Sequence, residues 1–305
     1  MKRLKLGKTG PELPVLALGC MRMAPLASQE AQELLQVCME TGIHMFDHAD
    51  IYGGGSSERV FARACAELKL PREQLFLQSK CGIRKGFFDF SKEHILSSVD
   101  GILERLDTEY LDALLLHRPD VLMEPEEVAE AFDALKASGK VRHFGVSNMH
   151  PGQIELLQDA LSMPLVANQL QLSIAHAPMI DFGLNVNLQR DAGLNRDGGL
   201  LEYCRRKQIC IQPWSTLQKG FFGGVFLGDP DYAALNAVLD RIALEQGLSP
   251  AAVALGWLLR IPGSVQPILG SMNPQRVREM AKAPEVELSR KEWYELYLAA
   301  GRELP

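Results

Sequence analysis

Four side chains in this sequence could together handle a proton: Asp47, Tyr52, Lys80 and His117. Asp47 closes the apolar run HMFD, and Tyr52 follows five residues later in a glycine-rich stretch, IYGGG. Lys80 ends LFLQSK, and His117 ends ALLLH. A carboxylate and an ammonium that both leave apolar runs are partly desolvated, and pairing them is the least costly arrangement. A phenol beside that cation loses its proton more easily, because positive charge favours the phenolate. Without such help its reference pKa of about 10 is too high for efficient acid catalysis near neutrality. An imidazole can fix a carbonyl oxygen. Taken singly, each residue has a plain structural reading: a brace, a packed ring, a satisfied histidine. Together they read as a device for moving a proton to or from a polarised oxygen.

Such a device needs a scaffold that ends several buried strands at one place. Short apolar runs at 15–19, 44–47, 75–80, 113–117, 141–146, 165–169, 209–213 and 265–269 read as strands. Helical patterns separate them, at 28–40, 57–69, 92–106, 125–138, 151–160, 199–206, 232–246 with 250–259, and 274–281. A last helix is expected over 290–299. Gly42 and Gly139 are expected helix stops, and Ser57 is an expected start. Strict strand-then-helix alternation implies a parallel sheet, since each strand must return by a crossover. Eight units predict an α/β fold closed into a (β/α)₈ TIM barrel, one domain over 1–305. An N-terminal β-hairpin (3–6 with 12–15) and extra C-terminal helices complete it. The competing architecture is an open doubly wound sheet. Its GxGxxG signature is missing after the first strand, where Gly19-Cys20-Met21-Arg22 stands. In a barrel the strand C-terminal ends share one face, which gathers Asp47, Lys80, His117, Ser147, Asn148, Gln169, Trp214 and Ser215. The stretch 172–198 reads as one long irregular loop, functional or mobile.

Composition narrows the function. The 305 residues are 47% hydrophobic and 23% charged, globular values. A net charge of −6 and a pI near 5.7 argue against nucleic acid or an anionic membrane as the main partner. No apolar run reaches the ~18 residues of a membrane span. The basic start followed by VLALGC resembles a leader, but Glu12 and Pro14 leave too short an apolar core. Six cysteines lie scattered with no CxxC pair, which fits free thiols and a cytoplasmic setting.

The quoted segments resemble the aldo-keto reductase family. D-H-A-D-I-Y-G (47–53) matches its Asp-x-x-x-x-Tyr-Gly signature, and Lys80 closes the third strand as the family's lysine does. D-A-L-L-L-H-R-P-D (112–120), G-K-V-R-H-F-G-V-S-N (139–148) and I-L-G-S-M-N-P-Q-R-V-R-E (268–279) follow in the family's order. The resemblance implies an NADPH-dependent carbonyl reductase acting on a small aldehyde or ketone. It implies Tyr52 as general acid, Lys80 lowering its pKa, Asp47 pairing with Lys80, and His117 orienting the carbonyl. It also implies NADPH/NADP⁺ contacts: Ser147, Asn148 and Gln169 at the carboxamide, and Trp214 on the nicotinamide ring. Ser215, Leu217, Lys219 and Gly220 would line the pyrophosphate, with Ser271, Arg276 and Glu279 at the adenosine end. Three positions depart from the family's pattern. Gly270 stands where a phosphate-binding lysine is common, Met280 where asparagine is usual, and Arg118 where tryptophan is frequent. Two other readings stay open. One is a metal-dependent barrel hydrolase using His44, Asp47, His48, Asp50 and His117, although the first four lie on an extended segment and His44 and His48 are roughly 13 Å apart at strand rise. The other is a cofactor-sensing regulatory barrel. Oligomeric state is not encoded in any of these features.

Overall fold

The computed structural model describes residues 1–221 and 223–305. Strands β1 (Arg3–Lys5) and β2 (Glu12–Pro14) form an antiparallel hairpin with Leu4 opposite Leu13. The barrel begins with β3 (Ala17–Gly19). Helix α1 (Ser28–Thr41) ends where Gly42 turns left-handed at φ 78°, and β4 (Met45–Asp47) follows. Next come α2 (Ser56–Glu67), β5 (Phe76–Cys81), a hairpin of β6 (Ile83–Arg84) and β7 (Phe87–Phe88), and α3 (Lys92–Leu106). The chain continues through β8 (Leu111–Leu116), α4 (Pro125–Ala137), β9 (Val141–Ser147), α5 (Pro151–Ala160), β10 (Ala167–Gln171), α6 (Pro178–Leu184), α7 (Leu200–Lys207) and β11 (Cys210–Trp214). It closes with α8 (Ala233–Gln246), α9 (Pro250–Leu259), β12 (Ile268–Leu269), α10 (Pro274–Met280) and α11 (Arg290–Ala299).

The main sheet runs β11-β10-β9-β8-β5-β4-β3-β12, and every neighbouring pair is parallel. Its two edges meet. Ile211 N–H donates to Ser264 O, and Gln266 N–H donates to Ile211 O, both at 2.9 Å. This is the expected (β/α)₈ barrel, with regular pairing in the last strand confined to 268–269.

Two apolar layers hold it together. One lies between barrel and helices and includes Phe46, Phe61, Phe132, Phe144 and Trp257. The other fills the barrel's lower interior, where Met45, Phe76, Leu115 and Ile268 meet Leu6 and Leu13 of the N-terminal hairpin. The hairpin therefore plugs the barrel floor. Gly7 lets it seat: at φ +63°, a Cβ there would stand 2.4 Å from Val166 O.

Two elements differ from expectation. The stretch 172–198 is not wholly irregular, because Pro178 opens the short helix α6, with Met179 and Ile180 buried. Asp181 on α6 pairs with Arg302 at 2.8 Å and accepts from Tyr297 Oη at 2.9 Å, tying this excursion to the C-terminal helix. The β6–β7 hairpin was also not expected.

Candidate active site

Side chains alternate along a strand, and that parity builds the site. On β5, Gln78 and Lys80 face the barrel interior, while Ser79 between them turns outward to Glu58 at 3.0 Å. Asp47 lies opposite Gln78 in the register, so Lys80 emerges one step above it. Lys80 Nζ reaches Asp47 Oδ2 at 2.7 Å, His48 O at 2.7 Å and Tyr52 Oη at 3.1 Å. The lysine is fully buried and Asp47 is 2% exposed. Tyr52 returns to this point because the chain turns just before it, Tyr52 N–H donating to Ala49 O at 3.0 Å, and Gly53 and Gly54, left-handed at φ 58° and 63°, carry the turn onward. A Cβ on Gly53 would meet Ala24 at 2.5 Å.

Beneath the pair lies a layer of buried amides. Asp47 Oδ1 accepts from Gln78 Nε2 at 2.6 Å and from Gln169 Nε2 at 3.0 Å. Gln212 Oε1 also accepts from Gln78, at 2.9 Å. Gln212 Nε2 donates to Gln266 Oε1 at 3.0 Å, and Gln266 Nε2 to Pro14 O at 2.7 Å. The carboxylate is thus held on one oxygen by an ammonium and on the other by two amides. Such charge-assisted bonds offset the cost of burying it.

The electrostatics follow from burial. Burial alone would pull the Lys80 ammonium down, but Asp47 and Tyr52 outweigh it and its pKa rises above the ordinary value. For Tyr52 burial is the largest influence and pushes the phenol up, Lys80 pulls it down, and the net direction is up. The sequence led us to expect a net lowering; the lysine acts in that sense, but desolvation wins. The His117 ring stands edge-on to Tyr52, centroids 6.0 Å apart. Burial, then the nearby Lys80 and Arg118, hold its pKa well below 6.5, so the ring is neutral. Its Nδ1 has no partner among the described residues.

A cavity of about 410 Å³ opens over this group. Asp47, Tyr52, His117, Ser147, Asn148, Gln169, Trp214 and Ser215 all line it, so the structure brings together every expected strand-end residue except Lys80, which reaches Tyr52 from below. Gly270 lines it too. Leu217, Lys219, Gly220, Ser271, Arg276 and Glu279 do not line it; they lie on the two segments that leave from Ser215 and Gly270. Lys219 is paired with Asp229 at 2.6 Å. Glu279 accepts from Gln275 at 2.9 Å, and Ser271 Oγ accepts from Asn273 N–H at 3.2 Å. Arg276 is exposed in the first turn of α10, its backbone N–H capped by Asn273 Oδ1 at 3.0 Å. Met21, Ile51, Phe88 and Phe221 form an apolar mouth that the sequence did not single out. Phe88 arrives on the β6–β7 hairpin, whose Lys85-Gly86 turn was the available signal.

The wall suits a flat carboxamide-bearing ring. The indole of Trp214 and the hydroxyl and amides of Ser147, Asn148 and Gln169 face one space. Asn148 (φ 59°) and Ser215 (φ 54°) both hold left-handed backbones that non-glycine residues seldom adopt, and such positions concentrate at functional sites. Asn148 is fixed between Trp214 Nε1 at 3.2 Å and Ser147 Oγ at 2.7 Å.

Other candidates lack this chemistry. A shallower depression of about 610 Å³ beside Met1, Lys2 and Arg278 contains no buried acid–base pair. Among the described residues no three His, Cys, Asp or Glu side chains converge as a metal site. The set His44, Asp47, His48, Asp50 and His117 is therefore not assembled; His48 instead packs edge-on against Phe61 at 4.6 Å. The cysteines are free, and burial pushes the Cys38 and Cys210 thiols up to about 12. No single helix among the described residues is long and apolar enough to cross a membrane.

Comparison with known proteins agrees with the geometry. A 6-dehydroglucose reductase of Agrobacterium fabrum is 36% identical over 96% of each chain. Oxidoreductase YdhF of Escherichia coli is 33% identical over the full length of both. A crystal structure of a thermostable aldo-keto reductase, determined with the inhibitor epalrestat, superposes with a TM-score of 0.81 at 28% identity, covering 98% of this chain and all of that one. The Aldo/keto reductase family model matches residues 15–297, and with these relatives it establishes that the chain belongs to that family of oxidoreductases, which generally work with a nicotinamide cofactor.

Proposed function

We propose that this protein reduces an aldehyde or ketone with NADPH, Tyr52 supplying the proton. The observation that carries the reading is the Lys80 ammonium, fixed at 2.7 Å by Asp47 and reaching the Tyr52 hydroxyl at 3.1 Å beside an open cavity. The coenzyme, when bound, supplies the hydride; the chain supplies orientation and the proton source. His117, neutral and lining the cavity, can hydrogen-bond the substrate oxygen. Burial keeps Tyr52 protonated at neutral pH, ready to donate. As the substrate oxygen gains negative charge, the hydroxyl hands over its proton and Lys80 stabilises the phenolate left behind.

Ser147, Asn148 and Gln169 would hold the carboxamide, and Trp214 the ring. Ser215, Leu217, Lys219 and Gly220 would follow the pyrophosphate, and Ser271, Arg276 and Glu279 the adenosine. Gln169 already donates to Asp47, so it would bind the coenzyme through its remaining capacity. Arg276, at the start of α10, would be the cation to meet the 2′-phosphate, since Gly270 provides none. The name of one relative, the 6-dehydroglucose reductase of Agrobacterium fabrum, supports carbonyl reduction as the reaction class. The test is to offer the purified protein a panel of aldehydes and ketones with NADPH and to follow loss of its absorbance. Carbonyl-dependent oxidation of NADPH is expected. None with any carbonyl, despite tight NADPH binding, would contradict the proposal.

A further inference from the structure

The cavity wall holds a cation that the proton-transfer group does not use. Arg118 follows His117 directly and lines the same space. Its guanidinium carbon lies 5.6 Å from the Trp214 ring centroid and 5.8 Å from that of Phe221. Among the described residues it makes no ion pair and donates no hydrogen bond. The other half-buried arginines differ: Arg72 holds Asp112, Arg105 holds Glu58 and Arg302 holds Asp181. The nearest carboxylate in sequence, Asp120, is spent on the backbone N–H groups of Phe90 and Leu122. Among the described residues Asp47 is the cavity's sole lining carboxylate, and Lys80 already balances it. Arg22 at the rim donates to Gly270 O at 3.4 Å and, among the described residues, makes no ion pair. The cavity therefore carries net positive charge in a chain of net charge −6.

A half-buried guanidinium without an acceptor is costly. Burial pulls its pKa below the ordinary value, the direction expected of a cation packed on aromatic rings without an anionic partner. Resting on the reductase reading, we infer that the pocket takes carbonyl compounds bearing a carboxylate, which Arg118 binds and so orients. His117 and Arg118 leave neighbouring backbone positions, so carbonyl and carboxylate would be gripped from one strand end. Met21, Ile51, Phe88 and Phe221 would cover an apolar body between the two polar groups and the solvent. The planar fork of arginine suits a bidentate carboxylate contact.

The experiment compares meta- and para-formylbenzoate, each with its methyl ester, as substrates for wild type, Arg118→Met and Arg118→Lys. A charge-assisted contact predicts kcat/KM higher for the acid than its ester by roughly 10–100-fold in wild type. Arg118→Met should bring that ratio near one, mostly through KM, and Arg118→Lys should restore part of it. NADPH affinity, titrated separately, should stay within about threefold of wild type in Arg118→Met. Ester turnover without acid preference would overturn the inference while leaving the reductase reading intact. Equal losses on acid and ester, or a large loss of NADPH affinity, would also overturn it by assigning Arg118 to the fold or the coenzyme. Binding of benzoate against methyl benzoate, followed by tryptophan fluorescence, decides the same point independently of turnover: tighter benzoate binding that Arg118→Met removes supports the inference, and equal binding overturns it.

Discussion

Three acceptors converge on the Lys80 ammonium, and they do not share one purpose. Asp47 and the His48 carbonyl hold it in place, and Tyr52 is the group it acts upon. Lys80→Met leaves Asp47 with two amide donors but no counter-charge, so the variant should fold, at a stability cost of about 3–5 kcal/mol. It also strips the phenol of the cation that pulls its pKa down, so that pKa should rise further. In alcohol oxidation the phenolate is the base, and activity rises with pH through the phenol's pKa. The expected outcome is a rising limb displaced to higher pH in Lys80→Met; an unchanged profile would reduce the lysine to a brace. Asp47→Asn leaves a buried ammonium without a counter-charge and should cost about 3–5 kcal/mol in urea unfolding. This pairing was legible in the sequence because two opposite charges each ended an apolar run. The net direction of the Tyr52 shift was not, since it depends on how deeply the loop buries the ring.

The strands deliver the chemistry and the helices deliver the binding ends. Polar interruptions at Gln78, Gln212 and Gln266 stand out in apolar runs, yet their mutual bonding needs the register of strands far apart in sequence. The eight-strand alternation was legible because each strand showed as a short apolar run and each helix as a longer periodic pattern. The β6–β7 hairpin and α6 were not: two-residue strands and a seven-residue helix are too short to show one. Helix α10 carries the coenzyme prediction. Arg276 is exposed at its first turn, with Asn273 capping the helix. Arg276→Met should weaken NADPH roughly 10–100-fold and leave NADH nearly unchanged, as read by fluorescence titration. Equal losses for both coenzymes would place the arginine at the adenine or in the fold instead.

Closure of the barrel has a pH consequence for the whole molecule. His48 is sealed between barrel and helices, fully buried, with neither ring nitrogen partnered among the described residues. Burial, then Lys80, lowers its pKa from 6.5 to about 3. The unfolded chain therefore takes up a proton below pH ~6.5 that the folded one refuses until far lower, so stability falls as pH falls through that window. His48→Leu removes this term and keeps the contact with Phe61. Relative to wild type, the variant should gain about 2 kcal/mol between pH 7.5 and pH 5, measured by urea unfolding at both. A constant difference would mean that the folded state protonates His48 as readily as the unfolded one. The hairpin under the barrel and the tie between Asp181 and Arg302 complete the frame, and only the hairpin was foreseeable.

The central claim is that Tyr52 gives the proton during carbonyl reduction. Tyr52→Phe keeps the ring and its burial and removes only the hydroxyl that Lys80 reaches at 3.1 Å. The most direct measurement is kcat of this variant on a carbonyl that wild type turns over well, alongside its NADPH affinity. The account predicts unchanged NADPH binding and a fall in kcat of about 10²–10⁴-fold. Wild-type kcat in Tyr52→Phe would contradict it.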